Sequence, residues 1–98
     1  MKSKCITDSN GTKRWHLNGK LHRVDGPAIE FSDGSKKWYL NGKCHRVDGP
    51  AGEYADGTKF WYINDVRLTF NQWLSEVWDT LSKEEQKYYA FNGFEYEK

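Results

Sequence analysis

Residues 12–34, TKRWHLNGKLHRVDGPAIEFSDG, are followed directly by residues 35–57, SKKWYLNGKCHRVDGPAGEYADG, and the two stretches are identical at sixteen of 23 positions. A third, decaying copy begins at residue 58 with TKFWYINDVRL. A fixed period of this length is typical of proteins that stack one small structural unit many times. The sequence therefore predicts a repeat protein with full units at 12–34 and 35–57 and a partial unit at 58–68.

Each unit contains the signals of two strands and two turns. Asn18-Gly19 and Asn41-Gly42 interrupt β-rich stretches, and such pairs favour type I′ hairpin turns because both central residues need a positive φ. Asp33-Gly34 and Asp56-Gly57 mark the turns between units. The Asp-Gly-Pro segments interrupt each return strand, since proline cannot donate to a ladder. We expect a mainly β fold, a single-layer antiparallel β-meander of about six strands.

Strand alternation sorts the aromatic side chains into two columns. Neighbouring units repeat the same positions, so the tryptophans 23 residues apart are expected on one face of the sheet. One column contains Trp15, Trp38 and Trp61, and the other contains His16, Tyr39 and Tyr62.

The C-terminal region changes to a helical pattern. Its apolar residues recur at intervals of three and four, which is typical of an amphipathic helix. These residues are Phe70, Trp73, Leu74, Val77, Trp78 and Leu81. Thr69 with Gln72 forms the signature of a capping box, and Ser82 with Glu85 repeats it before a second predicted helix from Lys83 to about Ala90.

A helical tail at 69–98 has an evident structural use in a repeat protein. The open end of a stacked sheet must be covered, so we expect the helices to cap the last unit, and Asn92-Gly93 to end the second helix. The decay of the third unit at Asn64-Asp65-Val66 suggests that the chain leaves the repeat path there. Pairing of the same apolar stripe between two chains is the rival, so we expect a monomer or a homodimer.

Length and composition favour one small domain over residues 1–98, with a β-repeat region at 8–68 that includes a partial earlier copy. The net charge of +1 does not suggest a strongly basic or acidic partner. Two cysteines do not make a disulfide framework. With no apolar run long enough to span a membrane and no signal peptide, we expect a reduced, cytoplasmic protein.

The polar residues do not form a predicted active site. No Ser/His/Asp or Cys/His arrangement and no phosphate-binding loop stands out, so we expect no enzyme and no cofactor. His22 and His45 are too far apart in the predicted sheet to share a metal ion, and hydrogen bonding to a turn, such as to the nearby Asp25 or Asp48, is the simpler expectation. Because Arg23 and Arg46 recur with the repeat, Arg23–Asp25 and Arg46–Glu53 pairs are expected to hold the proline loops.

The segment Trp38-Tyr39-Leu40-Asn41-Gly42-Lys43 resembles MORN-type repeats, which are 23-residue β-hairpin units. It is closer still to a phage and bacterial variant of that repeat with a helical C-terminal tail. The resemblance covers residues 8–68 and departs from the usual unit at Arg23 and Arg46, where a glycine is expected. It implies a scaffold that displays a binding surface, and some bacterial relatives are labelled antitoxins.

Two functions from different classes remain open. The first is a non-enzymatic protein-binding module, an inhibitor or regulator of a host, defence or toxin protein, encoded by a phage or a bacterium. Its anchors belong to residue types that are enriched at binding hot spots. The predicted anchors are Arg23, Tyr39, Arg46, Tyr62 and the outward parts of Trp73 or Trp78. The second is a nucleic-acid or anionic-lipid binder that uses Lys13, Arg14, Lys36 and Lys37 beside aromatic rings.

Overall fold

A computed structural model describes residues 2–92 of the chain. It confirms the predicted mainly β fold with antiparallel strands and a C-terminal helical cap. The strands are β1 (Lys4–Thr7), β2 (Lys13–Leu17), β3 (Lys20–Leu21), β4 (Ile29–Glu30), β5 (Lys36–Lys37), β6 (Tyr39–Leu40), β7 (Lys43–Cys44), β8 (Gly52–Glu53), β9 (Lys59–Ile63) and β10 (Val66–Leu68). The helices are α1 (Phe70–Val77) and α2 (Lys83–Asn92), and a 3₁₀ turn at Trp78–Thr80 lies between them.

The main sheet runs in the order β1-β2-β4-β5-β8-β9-β10, β3 pairs with β2 beside it, and β6 and β7 form a separate pair. Strand β2 pairs with β4 along its first half and with β3 along its second half. The Asp-Gly-Pro segments lie between β3 and β4 and between β7 and β8, so they divide each return strand as predicted. The expectation of about six strands is too low, because this division and a break at Trp38 split single strands into two.

Strand β1 lies before the predicted repeat region. It pairs with β2 so that Ile6 lies opposite Arg14. One unit later, Ile29 lies opposite Lys37 in the same register. Strand β1 therefore takes the place of β4 and β8 at the start of the sheet. Its sequence, Lys-Cys-Ile-Thr, shares only the isoleucine with the Pro-Ala-Ile-Glu of residues 27–30, so the repeat pattern did not reveal it.

The hairpin turns have the predicted geometry in all three units. Asn41 has φ 51° and Gly42 has φ 80°, and the first unit is alike. The decayed pair Asn64-Asp65 keeps the same turn with φ 47° and 70°. The expectation that the chain leaves the repeat path at this point is wrong, because β9 and β10 still pair over residues 61–68. Asp65 takes the place of glycine, and its carboxylate accepts a hydrogen bond from the backbone N–H of Cys44 at 2.8 Å.

The register assigns the two faces of the sheet. Cross-strand pairs link Arg14, Ile29, Lys37, Gly52 and Phe60 in one row, so these side chains share a face. Each tryptophan of the repeat directly follows one of these residues in the sequence, so its side chain lies on the opposite face, as predicted. The tryptophans are Trp15 in β2, Trp38 between β5 and β6, and Trp61 in β9. We call this opposite face the Trp face.

The core lies where the helices cover the Trp face of the last unit. Its buried residues are Trp61, Phe70, Trp73, Val77 and Leu81. Helix α1 begins at the predicted capping box, with Thr69 and Gln72 bonded reciprocally, and α2 begins at a second one, formed by Ser82 and Glu85. The helices thus cap the repeat within the same chain, while the predicted stop at Gly93 lies outside the described residues.

Candidate partner-binding groove

The two predicted arginine anchors are engaged inside the scaffold. The guanidinium carbon of Arg23 lies 3.9 Å from the centre of the Trp15 ring, and that of Arg46 lies 3.8 Å from the centre of the Trp38 ring. In each stack the arginine donates to an aspartate two residues on, Asp25 or Asp48, at 3.0 and 2.8 Å. Each also donates to the carbonyl of the following proline, so the guanidiniums hold the proline loops.

The glycine of each Asp-Gly-Pro segment makes room for the arginine. A Cβ atom at Gly49 would lie 2.7 Å from the guanidinium carbon of Arg46, and one at Gly26 would lie 3.0 Å from that of Arg23. The side chain of Glu30 accepts from Arg23 at 3.0 Å, and Glu53 lies 3.7 Å from Arg46. The predicted structural pairs are therefore present, and both arginines have few donors left for a partner.

The two predicted tryptophan anchors lie in the cap. Trp73 has no exposed surface, and its indole N–H donates to the carbonyl of Arg46 at 2.8 Å. The expectation that part of Trp73 faces outward is therefore wrong, because its ring fills the core between α1 and β9. Trp78 is partly buried at the edge of the same cluster and keeps some exposed surface.

The histidines join neighbouring units. The Nδ1 atom of His22 accepts a hydrogen bond from the backbone N–H of Asn41 at 2.9 Å, and His45 accepts from Asn64 at 3.0 Å. The histidines bond to turns as predicted, but the turn in each case belongs to the next unit. They do not bond to Asp25 or Asp48, because those carboxylates accept from the arginines. Within residues 2–92, no three His, Cys, Asp or Glu side chains are grouped closely enough to hold a metal ion.

The four basic residues of the nucleic-acid hypothesis do not converge. Lys13 and Lys36 lie on the Trp face in a cross-strand row where Glu30 and Glu53 alternate with lysines. Arg14 and Lys37 lie on the other face, and Arg14 is bonded to Asp8 at 2.7 Å. This ion pair, together with backbone hydrogen bonds, lowers the pKa of Asp8.

A groove opens on the face opposite the tryptophans, and it contains the two remaining predicted anchors, Tyr39 and Tyr62. It has a volume of about 340 Å³. Its lining residues are Lys37, Tyr39, Cys44, Gly52, Tyr54, Phe60, Tyr62, Asp65 and Arg67. We call it the tyrosine groove.

Two small residues create the tyrosine groove. Gly52 takes the position that Ile29 fills in the first unit, where the isoleucine is 7% exposed. Cys44 takes the position of Leu21 in the same way. Both changes remove side-chain volume from the same face, so the recess occurs where the second and third units meet.

The walls of the groove are aromatic and cationic. The Tyr54 and Phe60 rings meet edge to face with centroids 5.1 Å apart, and the guanidinium carbon of Arg67 lies 4.4 Å from the centre of the Phe60 ring. Partial burial raises the pKa of Tyr39, so its hydroxyl stays protonated and can donate a hydrogen bond. Burial also raises the pKa of the Cys44 thiol to about 11, so the floor of the groove is uncharged near neutral pH.

Tyr54, Phe60, Arg67 and Gly52 were absent from the predicted anchors. The signal that identifies them is the set of positions at which the otherwise identical units differ. Ile29 against Gly52 is such a difference, and so are Phe31 against Tyr54 and Lys37 against Phe60. Recurrent positions build the scaffold here, and the groove is built from positions that vary.

A scan against protein-family models, a search of curated proteins and a search of solved structures each found no match to this chain. The MORN-like identification therefore stays a prediction from the sequence. Neither helix in residues 2–92 combines the length and apolar character that crossing a membrane requires.

Proposed function

We propose that this chain is a non-enzymatic protein-binding module whose partner occupies the tyrosine groove. The observation that carries the proposal is the recess itself, in which four aromatic rings and two cationic side chains surround a floor of Gly52 and Cys44. Tyrosine and arginine are enriched where partners bind most strongly, because they offer large apolar area together with hydrogen-bond donors. Tyr39 and Tyr62 are the predicted anchors that the groove brings together.

The chemistry of the groove favours binding over catalysis. Nucleophilic catalysis by cysteine requires a thiolate, and burial keeps the Cys44 thiol protonated. The neighbouring carboxylate of Asp65 is engaged in supporting the backbone of Cys44. The side chains that surround the recess are thus suited to contact and orientation of a partner.

A protein partner fits the charge distribution better than a nucleic acid or an anionic lipid does. Binding of a polyanion relies on a row of cations that neutralise successive phosphates. On the Trp face, glutamates separate Lys13, Lys36 and Lys59, and on the other face Asp8 holds Arg14. Two cations at one groove suit a short segment of a protein.

The inhibitor or regulator role implied by the repeat resemblance forms part of this proposal. A module of this kind acts on its partner by occupying a surface, and it needs no chemistry of its own. Two unpaired cysteines, Cys5 exposed and Cys44 buried, support a reducing compartment such as the cytoplasm.

The test fills the groove without disturbing the backbone. A Cβ atom at Gly52 meets its nearest neighbour, Phe60, at an ordinary 3.6 Å, so Gly52→Ile restores the residue of the first unit. The matched control is Val24→Ser in an exposed loop. Proteins in a lysate of the source organism are cross-linked to each variant, and the captured proteins are quantified by mass spectrometry.

We expect the wild type and Val24→Ser to capture the same protein and Gly52→Ile to lose it, with an unchanged urea midpoint for all three. Equal capture by Gly52→Ile would show that the groove is not the binding surface. Binding to a thymidine oligonucleotide that is stronger than binding to any captured protein would favour the nucleic-acid alternative. In that case the affinity should fall by about 10³-fold between 50 and 200 mM salt, as it does for proteins with many phosphate contacts. A wild type that sediments as a dimer, with Gly52→Ile sedimenting as a monomer, would show that a second copy fills the groove.

A further inference from the structure

Among residues 2–92, three arginines stack on aromatic rings, and in two of these stacks the guanidinium also pairs with a carboxylate. Arg23 on Trp15 and Arg46 on Trp38 each have a carboxylate oxygen within hydrogen-bond distance of the guanidinium Nε, at 3.0 and 2.8 Å. A guanidinium on an aromatic face keeps its N–H donors directed outward in its own plane, where a carboxylate can accept from them. Ring, arginine and carboxylate thus form a recurring three-part arrangement in this molecule.

Among the described residues, the third stack has no carboxylate paired with its arginine. Arg67 lies over Phe60 at 4.4 Å, yet within residues 2–92 its guanidinium has neither an ion pair nor a hydrogen bond. Arg67 is exposed at the rim of the tyrosine groove, opposite Tyr62 in the β9–β10 ladder. Its donors are therefore available on the side from which a partner approaches.

A second cation lies in the same groove. Lys37 lines the recess and makes no ion pair with any carboxylate of the described residues, and its ammonium is 6.0 Å from the centre of the Phe31 ring. Asp65, the one acidic residue of the lining, accepts from the Cys44 backbone at 2.8 Å. The lining thus carries one more positive than negative charge, and both cations have free donors.

We propose that the tyrosine groove selects a partner segment in which a carboxylate lies beside an aromatic or aliphatic side chain. The carboxylate completes the Arg67–Phe60 stack, and the apolar side chain fills the space above Gly52. Charge complementarity carries the assignment, since Lys37 and Arg67 are the cations of the groove and neither pairs with a carboxylate of residues 2–92. The inference rests on the proposed protein-binding function and adds to it the chemistry of the segment.

The experiment uses displayed nine-residue peptides of random sequence as the probe and the full-length protein as the bait. We expect the selected peptides to be enriched in Asp or Glu next to an aromatic or aliphatic residue. The affinity of one selected peptide is then compared with that of its amide version, in which the acid is replaced by Asn or Gln. We expect the amide version to bind about tenfold more weakly or worse, as loss of a charged hydrogen bond predicts.

The assignment to Arg67 is tested by a double-mutant cycle. In Arg67→Gln the acidic and amide peptides should bind with nearly equal affinity, because the carboxylate no longer has its partner. Lys59→Gln removes one positive charge from the opposite face and should preserve the tenfold preference. The urea midpoint of Arg67→Gln should equal that of the wild type, since the residue is exposed.

The outcomes separate this inference from the proposed function. Selected peptides without an acidic preference, whose binding Gly52→Ile abolishes, would overturn the carboxylate inference and leave the protein-binding proposal in place. An acidic preference that survives Arg67→Gln would also overturn it. If no peptide is selected and the thymidine oligonucleotide binds instead, both proposals are wrong.

Discussion

Trp38 and Trp61 occupy equivalent positions 23 residues apart, yet the molecule covers them in different ways. The guanidinium of Arg46 covers Trp38 at 3.8 Å and is held by Asp48 and the proline loop. In the last unit the position equivalent to Arg46 is Thr69, the N-cap of α1. The rings of Phe70 and Trp73 then cover Trp61, with centroids 5.0 and 4.5 Å away.

The difference shows that the same tryptophan position needs one kind of cover inside the repeat and another kind at its end. An internal unit has neighbours on both sides and needs only a local, polar cover that each unit supplies for itself. The last unit is followed by the helices instead of another unit, and a buried aromatic cluster from them covers its tryptophan, which is 5% exposed. Trp73 connects the two kinds of cover, because its indole N–H donates to the carbonyl of Arg46.

The largest expected effect tests the apolar cover. Trp73→Ala removes a completely buried ring and its hydrogen bond, so we expect a loss of about 3–5 kcal/mol in the free energy of unfolding, measured by urea denaturation. Trp78→Ala, at the partly exposed edge of the cluster, should cost less. A Trp73→Ala midpoint equal to that of the wild type would show that the cap does not stabilise the last unit.

The polar cover should contribute less. Arg46→Gln removes the stack on Trp38 and the charged hydrogen bonds, so we expect a loss of about 1.5–3 kcal/mol in urea denaturation. Gly49→Ala should act in the same direction, because its Cβ displaces the guanidinium. If Arg46→Gln lowered the free energy of unfolding as much as Trp73→Ala does, the proposed distinction between the polar and apolar covers would be wrong.

The turns extend the comparison to the backbone. Gly42 has φ 80°, so Gly42→Val forces a β-branched residue into the left-handed region and should destabilise by more than about 1 kcal/mol. In the last unit Asp65 already tolerates φ 70° with the help of its bond to Cys44, so Asp65→Gly should change the urea midpoint less. A larger loss for Asp65→Gly than for Gly42→Val would contradict this ranking.

The effect that is absent near neutral pH concerns the thiol at the junction of the second and last units. Burial raises the pKa of the Cys44 thiol from 9.0 to about 11 in the folded chain. Because the unfolded chain loses this proton first, the contribution of the thiol to stability is complete below pH 9 and declines as the pH rises to about 11. Urea midpoints of the wild type should fall over this range relative to those of Cys44→Ala, and parallel curves would contradict the prediction.

Much of the scaffold was predictable because repetition exposes it. The period of 23 placed the tryptophans on one face, the Asn-Gly pairs gave the type I′ turns, and the spacing from Phe70 to Leu81 with its capping box gave the first helix. The apolar stripe also identified the cap. These features depend on the spacing and type of residues close together in the chain, which the sequence shows directly.

The remaining features depend on contacts that pattern does not specify. The stacking of Arg23 on Trp15 requires knowing how the proline loop folds back over the sheet. The bond from Asn41 to His22 joins residues of different units. The sequence does not show that the arginines engage the carboxylates of Asp25 and Asp48, which leaves each histidine to bond with the next unit. The groove arises from Gly52 and Cys44, two differences between otherwise similar units whose volumes matter only once the strands are side by side.

The bonds between successive units have a consequence for the length of the molecule. His22 receives the Asn41 N–H just as His45 receives that of Asn64, so each unit presents the same acceptor to whatever follows it. A further copy of residues 35–57, inserted after residue 57, would find the histidine acceptor of the preceding unit in place and would offer its own to the next. Such a chain would be longer by two strand spacings, roughly 9.6 Å, and would still end in the same cap. Duplication of a unit can thus lengthen this protein in fixed increments while both ends of the sheet stay unchanged.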